Sequence, residues 1–268
     1  VIATIAEGVP ERDSREWVAK AKEKGVMLIG PATVGAVTAG VFRVGDTGSS
    51  NQHLLKSKLH RPGCVGYVGK SGGMSNEMYR MIAENSSGIV EGVAIGGDRN
   101  PGSILFDHLP RFERNPDVKL IVVTSEIGGT DEELIVEAIR NGSLTKPIVA
   151  WVSGTSAECF PKDVQFGHAG AWAESEAETA KAKNELLRSV GVLIPESFEG
   201  LAETIRNAYQ KLKNEGKVCD LMEPIVPEIP ADRSHTHLQC TISDDRGEEA
   251  KYGDKAISDF IREGSLPK

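Results

Sequence analysis

The sequence predicts an α/β chain whose main body is a doubly wound parallel sheet. Three observations carry this. Short Val- and Ile-rich runs alternate with helical stretches between about residues 62 and 217, the pattern of parallel strands joined by right-handed crossovers. Glycine-rich loops follow three of those runs, at the strand ends where such sheets bind ligands. Of the 268 residues, 39% are hydrophobic and 26% charged, enough apolar matter for one large core or two smaller ones.

The chain opens on Val1-Ile2-Ala3-Thr4-Ile5-Ala6, an apolar run that reads as a buried parallel strand. A strand at the first residue implies an internal piece of a longer polypeptide. A helix follows around Arg15 to Lys24, with Trp17, Val18 and Ala21 on its apolar side and Gly25 as its stop. Val26 to Ile29 form the next strand, and Gly30 to Gly35 leave its carboxyl end. Residues 36–61 read as irregular, and the boundary falls near His60-Arg61-Pro62-Gly63.

Strands are then expected at about 64–68, 89–95, 118–124, 147–152 and 192–194, and helices at about 73–85, 103–115, 130–141, 176–189 and 198–214. This is a flavodoxin-like order of elements. Pro224, Pro227 and Pro230, with Glu223, Glu228 and Asp232, make residues 218–235 a semi-rigid solvated linker. A strand from Leu238 to Ile242, a turn at 244–247 and a helix near 255–263 follow, too little to bury a core alone.

A net charge of −8 argues against nucleic-acid binding by general electrostatics. No run of about 18 apolar residues offers a membrane span, and no basic-then-apolar leader is present. Cys64, Cys159, Cys219 and Cys240 form no CxxC pair, so no zinc or disulfide framework is expected. His235 and His237 lack a third ligand nearby, and no metal site is assigned. Composition alone reads as a soluble, cytoplasmic protein.

The chemistry is sought in four loops. Gly69-Lys70-Ser71-Gly72-Gly73 runs into a helix, where backbone N–H groups suit an anion; a tight turn with Ser71 as N-cap is the plainer alternative. Gly96-Gly97-Asp98 and Pro101-Gly102-Ser103 hold backbone near a ligand that the residues do not identify. Glu126, in Thr124-Ser125-Glu126-Ile127-Gly128-Gly129, stands where its strand runs out; it is placed to orient a histidine, or else is a solvated acid favoured by a helix dipole. Gly167-His168-Ala169-Gly170-Ala171 surrounds His168 with small residues. A neutral imidazole there suits phosphoryl transfer, with Glu126 or Glu7 holding its other nitrogen; the alternative is a surface-loop histidine. The other five histidines are taken as structural or surface residues.

Taken together, Ser71-Gly72-Gly73, Gly96-Gly97-Asp98, Glu126-Ile127-Gly128-Gly129 and Gly167-His168-Ala169-Gly170-Ala171 resemble the α subunit of the succinyl-CoA synthetase superfamily. Within it, Ala6-Glu7-Gly8-Val9-Pro10, Gly30-Pro31-Ala32-Thr33-Val34-Gly35, Ser71 to Glu77 and Val164 to His168 are similar to the ATP-citrate lyases. Succinate enzymes typically carry Asn-Cys-Pro in place of Ala32-Thr33-Val34 and Ser-Gly-Thr in place of Ser71-Gly72-Gly73. The resemblance implies four parts: residues 1–61 as the C-terminal part of a Rossmann-like CoA-binding domain; 62–217 as the flavodoxin-like CoA-ligase domain with the phosphohistidine loop; 218–235 as linker; and 236–268 as the start of a citrate-synthase-like citryl-CoA lyase module.

It further implies that citrate, CoA and ATP become acetyl-CoA, oxaloacetate, ADP and phosphate through phosphohistidine, citryl phosphate and citryl-CoA. His168 would be the carrier, Glu7 and Glu126 would hold it in two stations, and Ser71, Gly72, Gly73 and Thr33 would bind substrate or phosphate. ATP with Mg would sit mainly on an ATP-grasp region or subunit outside these residues, in a homo- or hetero-oligomer with a tetrameric core, so this segment alone should not turn over. Two alternatives stand beside it: a citryl-CoA or succinyl-CoA synthetase α-type subunit that stops at the acyl-CoA, and a non-catalytic CoA- or anion-binding regulator.

Overall fold

A computed structural model describes residues 1–159, 165, 167–173, 175–218, 221, 223–224, 240–243 and 249–252. Val1–Glu223 form one compact unit and Pro224–Lys268 a second. In the first unit β1 (Ile2–Ala3), α1 (Glu11–Glu23) and β2 (Leu28–Ile29) come first. β1 and β2 pair in parallel, Ile2 with Leu28 and Ala3 with Ile29. The apolar opening run therefore gives a shorter strand than expected, because the chain turns away after Thr4 donates to the Ile29 carbonyl.

The main sheet holds β3 (Gly35–Thr38), β4 (Phe42–Gly45), β5 (Val65–Gly69), β6 (Ile89–Ala94), β7 (Leu120–Glu126) and β8 (Ile148–Ser153). Its order is β4-β3-β6-β5-β7-β8. The last four are parallel to one another, while β3 runs antiparallel to both β4 and β6. The stretch read as irregular thus contains a hairpin on the sheet edge, followed by α2 (Asn51–Lys56). Four-residue strands bounded by glycine carry too few alternating positions to declare themselves; β6 supplies the pairing instead. Residues before 62 consequently contribute two strands to the sheet.

The crossover helices are α3 (Gly72–Asn85), α4 (Leu105–Arg114), α5 (Asp131–Arg140), α6 (Ala180–Arg188) and α7 (Leu201–Asn214). Their bounds follow the sequence reading closely, except that short 3₁₀ turns at Glu176–Glu178 and Phe198–Gly200 replace the first residues of the last two. The expected strand at 192–194 is a single parallel bridge, Val149 with Leu193.

Alternation along each strand builds two cores. Leu120 and Val122 of β7 face Met78, Tyr79, Leu201 and Ile205 of α3 and α7. Ile121 and Val123 face the opposite layer, with Leu105, Leu109 and Ile135 of α4 and α5. Burial of β7 on both faces explains its unbroken apolar run. Because β6 lies on one side of β5 and β7 on the other, the loops after β5 and β7 diverge and open a crevice between them.

In the second unit, β9 (Cys240–Ser243) and β10 (Glu249–Tyr252) pair antiparallel. The turn and helix expected beyond it, at 244–247 and 255–263, lie outside the described residues. Among the described residues, no helix is long and apolar enough to cross a membrane.

Candidate active site

His168 sits in the crevice with its Nδ1 2.6 Å from Glu126 Oε2. Glu126 is the last residue of β7, so the central strand delivers the carboxylate and a separate loop delivers the imidazole. Both side chains are mostly withdrawn from water, which strengthens a charge-assisted bond. The hydrogen bond to Glu126 raises the His168 pKa above its usual value; burial opposes this, and the charges of Glu126 and Glu7 reinforce it while Lys70 acts against it. With Nδ1–H donating to Glu126, Nε2 is the nitrogen left with a lone pair.

The imidazole rests on a glycine. A β-carbon at Gly97 would lie 2.3 Å from His168 Cγ, far inside contact distance. Gly170 N–H donates to the Gly97 carbonyl at 3.2 Å, fastening the loop from that side. From the other side Gly128, at φ +87°, lies where a β-carbon would meet the Gly170 carbonyl oxygen. The loop bearing His168 is thus held between the two glycine-rich loops after β6 and β7. Gly97→Ala is expected to keep the fold but displace the ring from Glu126, so that the raised pKa of His168 falls back toward its usual value; an NMR titration of the imidazole measures it.

Two clefts flank His168. One, of about 260 Å³, is lined by Glu7, Ala32, Asp98, Arg99, Gly167 and His168 among others. The other, of about 490 Å³, includes Lys70, Glu126, Gly129, Thr130, Asp131 and Trp172. Arg99 lies over the Trp172 ring, 5.3 Å from its centroid, and 3.6 Å from Glu11. Burial pushes the Asp131 carboxyl up. Glu7 is exposed on the first cleft, so both expected carboxylates share His168's surroundings, one in contact and one across a cleft.

The phosphate-loop residues are placed differently. Ser71 caps α3, its hydroxyl accepting from Met74 N–H. A β-carbon at Gly72 would strike Val34 at 2.7 Å, while Gly73 faces open space. Gly72 is therefore demanded by packing, and Gly73 leaves room for a ligand. Thr33 corrects the sequence expectation: it is buried, donating to the Ala94 carbonyl and accepting from Gly35 N–H at 2.8 Å. Its hydroxyl orders the turn into β3 and is not offered to solvent. Neither cleft beside His168 is lined by Ser71, Gly72, Gly73 or Thr33; Lys70 is the residue of that loop that reaches it.

His53 and His108 are committed elsewhere. His53 Nε2 lies 2.8 Å from the Asn76 carbonyl. His108 bridges Ser103 and Arg111, and burial followed by the Arg111 charge lowers its pKa to about 4. His60 is partly buried. His235 and His237 lie outside the described residues. Among the described residues, no group of three or more His, Cys, Asp and Glu is arranged to hold a metal. Sequence reasoning missed the role of Gly97, although its loop was conspicuous, and missed Lys183 and Glu132 beneath Glu126 altogether.

Residues 68–193, which carry both Glu126 and His168, match the CoA-ligase family. Over nearly all its length the chain resembles ATP-citrate lyase. It is 50% identical over 274 residues to ATP-citrate synthase β chain protein 1 of Arabidopsis thaliana, covering 98% of this chain and 45% of that protein. A mutant ATP citrate lyase from Methanosaeta concilii, solved with (3S)-citryl-CoA, is 50% identical at a TM-score of 0.84 over 97% of this chain and 44% of its own. The enzyme from Methanothrix soehngenii, solved with citrate and coenzyme A, is 49% identical at the same TM-score, over 98% and 45%. The chain spans less than half the length of these relatives.

Proposed function

We propose that this chain supplies the phosphohistidine-bearing CoA-ligase part of an ATP-citrate lyase. The single observation that carries the reading is the 2.6 Å contact between His168 Nδ1 and Glu126 at the end of the central strand. A carboxylate that holds one imidazole nitrogen fixes the tautomer and leaves the other as nucleophile. In this reading His168 Nε2 attacks the γ-phosphorus of ATP and ADP departs. A citrate carboxylate oxygen then attacks the same phosphorus, returning the nitrogen lone pair and forming citryl phosphate. The CoA thiol, losing its proton, attacks the activated carbonyl and expels inorganic phosphate. Citryl-CoA is finally cleaved to acetyl-CoA and oxaloacetate. Carboxylate alone is a poor acyl donor because its leaving group is oxide; phosphorylation supplies a better one.

Ser71, Gly72 and Gly73 would receive the phosphoryl group or citrate, through N–H groups at the start of α3. Thr33 would order the turn into β3, whose Val34 packs against Gly72. We assign residues 1–61 to the end of a CoA-binding domain, 62–217 to the ligase domain, 218–235 to a linker and 236–268 to the start of the lyase module; the division of the chain at Glu223 supports the linker alone, since β3 and β4 join the ligase sheet from before residue 62. ATP with Mg, and the ATP-grasp and lyase regions, would come from other parts of a homo- or hetero-oligomer with a tetrameric core. A cytoplasmic setting accords with the free Cys64 thiol.

The reading is tested by incubating the complete enzyme with γ-labelled ATP and mapping the label. Acid-labile phosphate on His168 is expected, and label confined to any other residue rejects the assignment. Glu7 has its own test. Glu7→Gln should leave the fold intact and lower citrate-dependent CoA consumption by roughly 10²-fold or more, whereas unchanged consumption removes Glu7 from the mechanism.

A further inference from the structure

Beneath Glu126 lies a buried ion pair that the proposed chemistry does not use. Lys183 of α6 and Glu132 of α5 are each 1% exposed, and Lys183 Nζ is 2.9 Å from Glu132 Oε2. An ammonium carries three N–H groups. The other two neighbours of Nζ are backbone carbonyls, that of Glu126 at 3.1 Å and that of Gly128 at 2.7 Å. The remaining Glu132 oxygen accepts from Ser125 Oγ. Each charged group of the pair therefore has a contact, Glu132 Oε2 through the ion pair with no hydrogen-bond partner of its own, as burial of charge requires.

The choice of carbonyls is informative. They flank Ile127, so one cation holds the backbone on both sides of a single residue. One carbonyl belongs to the residue whose carboxylate meets His168. The other belongs to the glycine against which the His168 loop is seated. Ser125, one residue before Glu126, is tied to the same pair. A lysine serving α6 alone has no need of these partners.

We propose that Lys183, backed by Glu132, is a positioning residue for the His168–Glu126 pair, its ammonium clamping the 126–128 backbone so that the carboxylate meets the imidazole. The assignment rests on the reading of His168 as phosphoryl carrier. Asp131 and Lys70 are the other charges that bear on Lys183, and Glu126, Glu7 and Lys70 those that bear on His168.

Lys183→Met alone strands a buried carboxylate, so the decisive variant is Lys183→Met with Glu132→Gln, which removes both charges at similar volume. In the complete enzyme, diethyl pyrocarbonate acylation of His168 is followed by peptide mass spectrometry across pH; only neutral imidazole reacts. The wild-type midpoint should lie above the ordinary 6.5. In the double variant it should fall toward that value while cooperative unfolding is retained, and phosphohistidine should form at least roughly tenfold more slowly. A folded double variant with the wild-type midpoint and labelling rate overturns the proposal. A midpoint that falls while even wild-type His168 takes no phosphate supports the clamp and rejects the carrier reading, so the two failures are told apart.

Discussion

His168→Ala in the complete enzyme is expected to abolish acid-labile phosphate on this chain and to lower citrate-dependent CoA consumption on the order of 10⁵-fold. In the proposed mechanism the loss is large because a covalent carrier has no partial substitute: with the nitrogen gone, the γ-phosphoryl group of ATP would have nothing to attack it and citrate would not be activated. Among the described residues, two of the other histidines are committed elsewhere. His53 is bonded to the Asn76 carbonyl, and His108 is fixed between Ser103 and Arg111 inside the protein. The fold should survive, because His168 occupies a loop and contributes nothing to either apolar core. Thermal unfolding and quantitative phosphopeptide mapping check both halves; retained phosphate in the alanine variant sinks the assignment.

Glu126→Gln carries the second large effect. The amide fits the same space but cannot hold the imidazole as an acceptor of charge, so the tautomer and ring direction are no longer fixed. A fall in phosphohistidine formation of roughly 10²–10⁴-fold is expected. The pH dependence gives an independent signature. The pKa of His168 is raised chiefly by its hydrogen bond to Glu126, and only the neutral ring is nucleophilic. In the wild type the rate should therefore climb through a pKa above 6.5. In Glu126→Gln the acid limb should move to lower pH, even as the maximum drops. The sign for stability follows from the same shift: the ion pair stabilises the folded chain below the unfolded pKa, and that contribution disappears as pH rises through the raised one. An acid limb that stays in place separates Glu126 from the titration of His168.

Much of this was legible from residues alone. The five helices after residue 62 and the four parallel strands announced themselves through long, regular apolar periodicity. His168 stood out because small neighbours left its ring uncrowded, and Glu126 because it ends an unbroken strand. The hairpin at β3 and β4 was invisible, since its short strands depend on β6 for their pairing. Thr33 was expected at a ligand only through the family resemblance, and the chain instead spends it on the Ala94 carbonyl.

The division has a physical basis. Periodicity, breakers and loop composition act over a few neighbouring residues, so the linear chain was sufficient to fix the layered α/β body, the crevice end of the sheet and the identity of the carrier candidate. Contacts across long separations obey no such local rule. Gly97 approaches His168 across 71 positions and Lys183 reaches Glu126 across 57, and nothing near either residue marks the encounter. Lys183 in particular was not singled out in the helix expected at 176–189, and folding alone turned it inward beneath the strand end, where two carbonyls and a carboxylate make its charge tolerable.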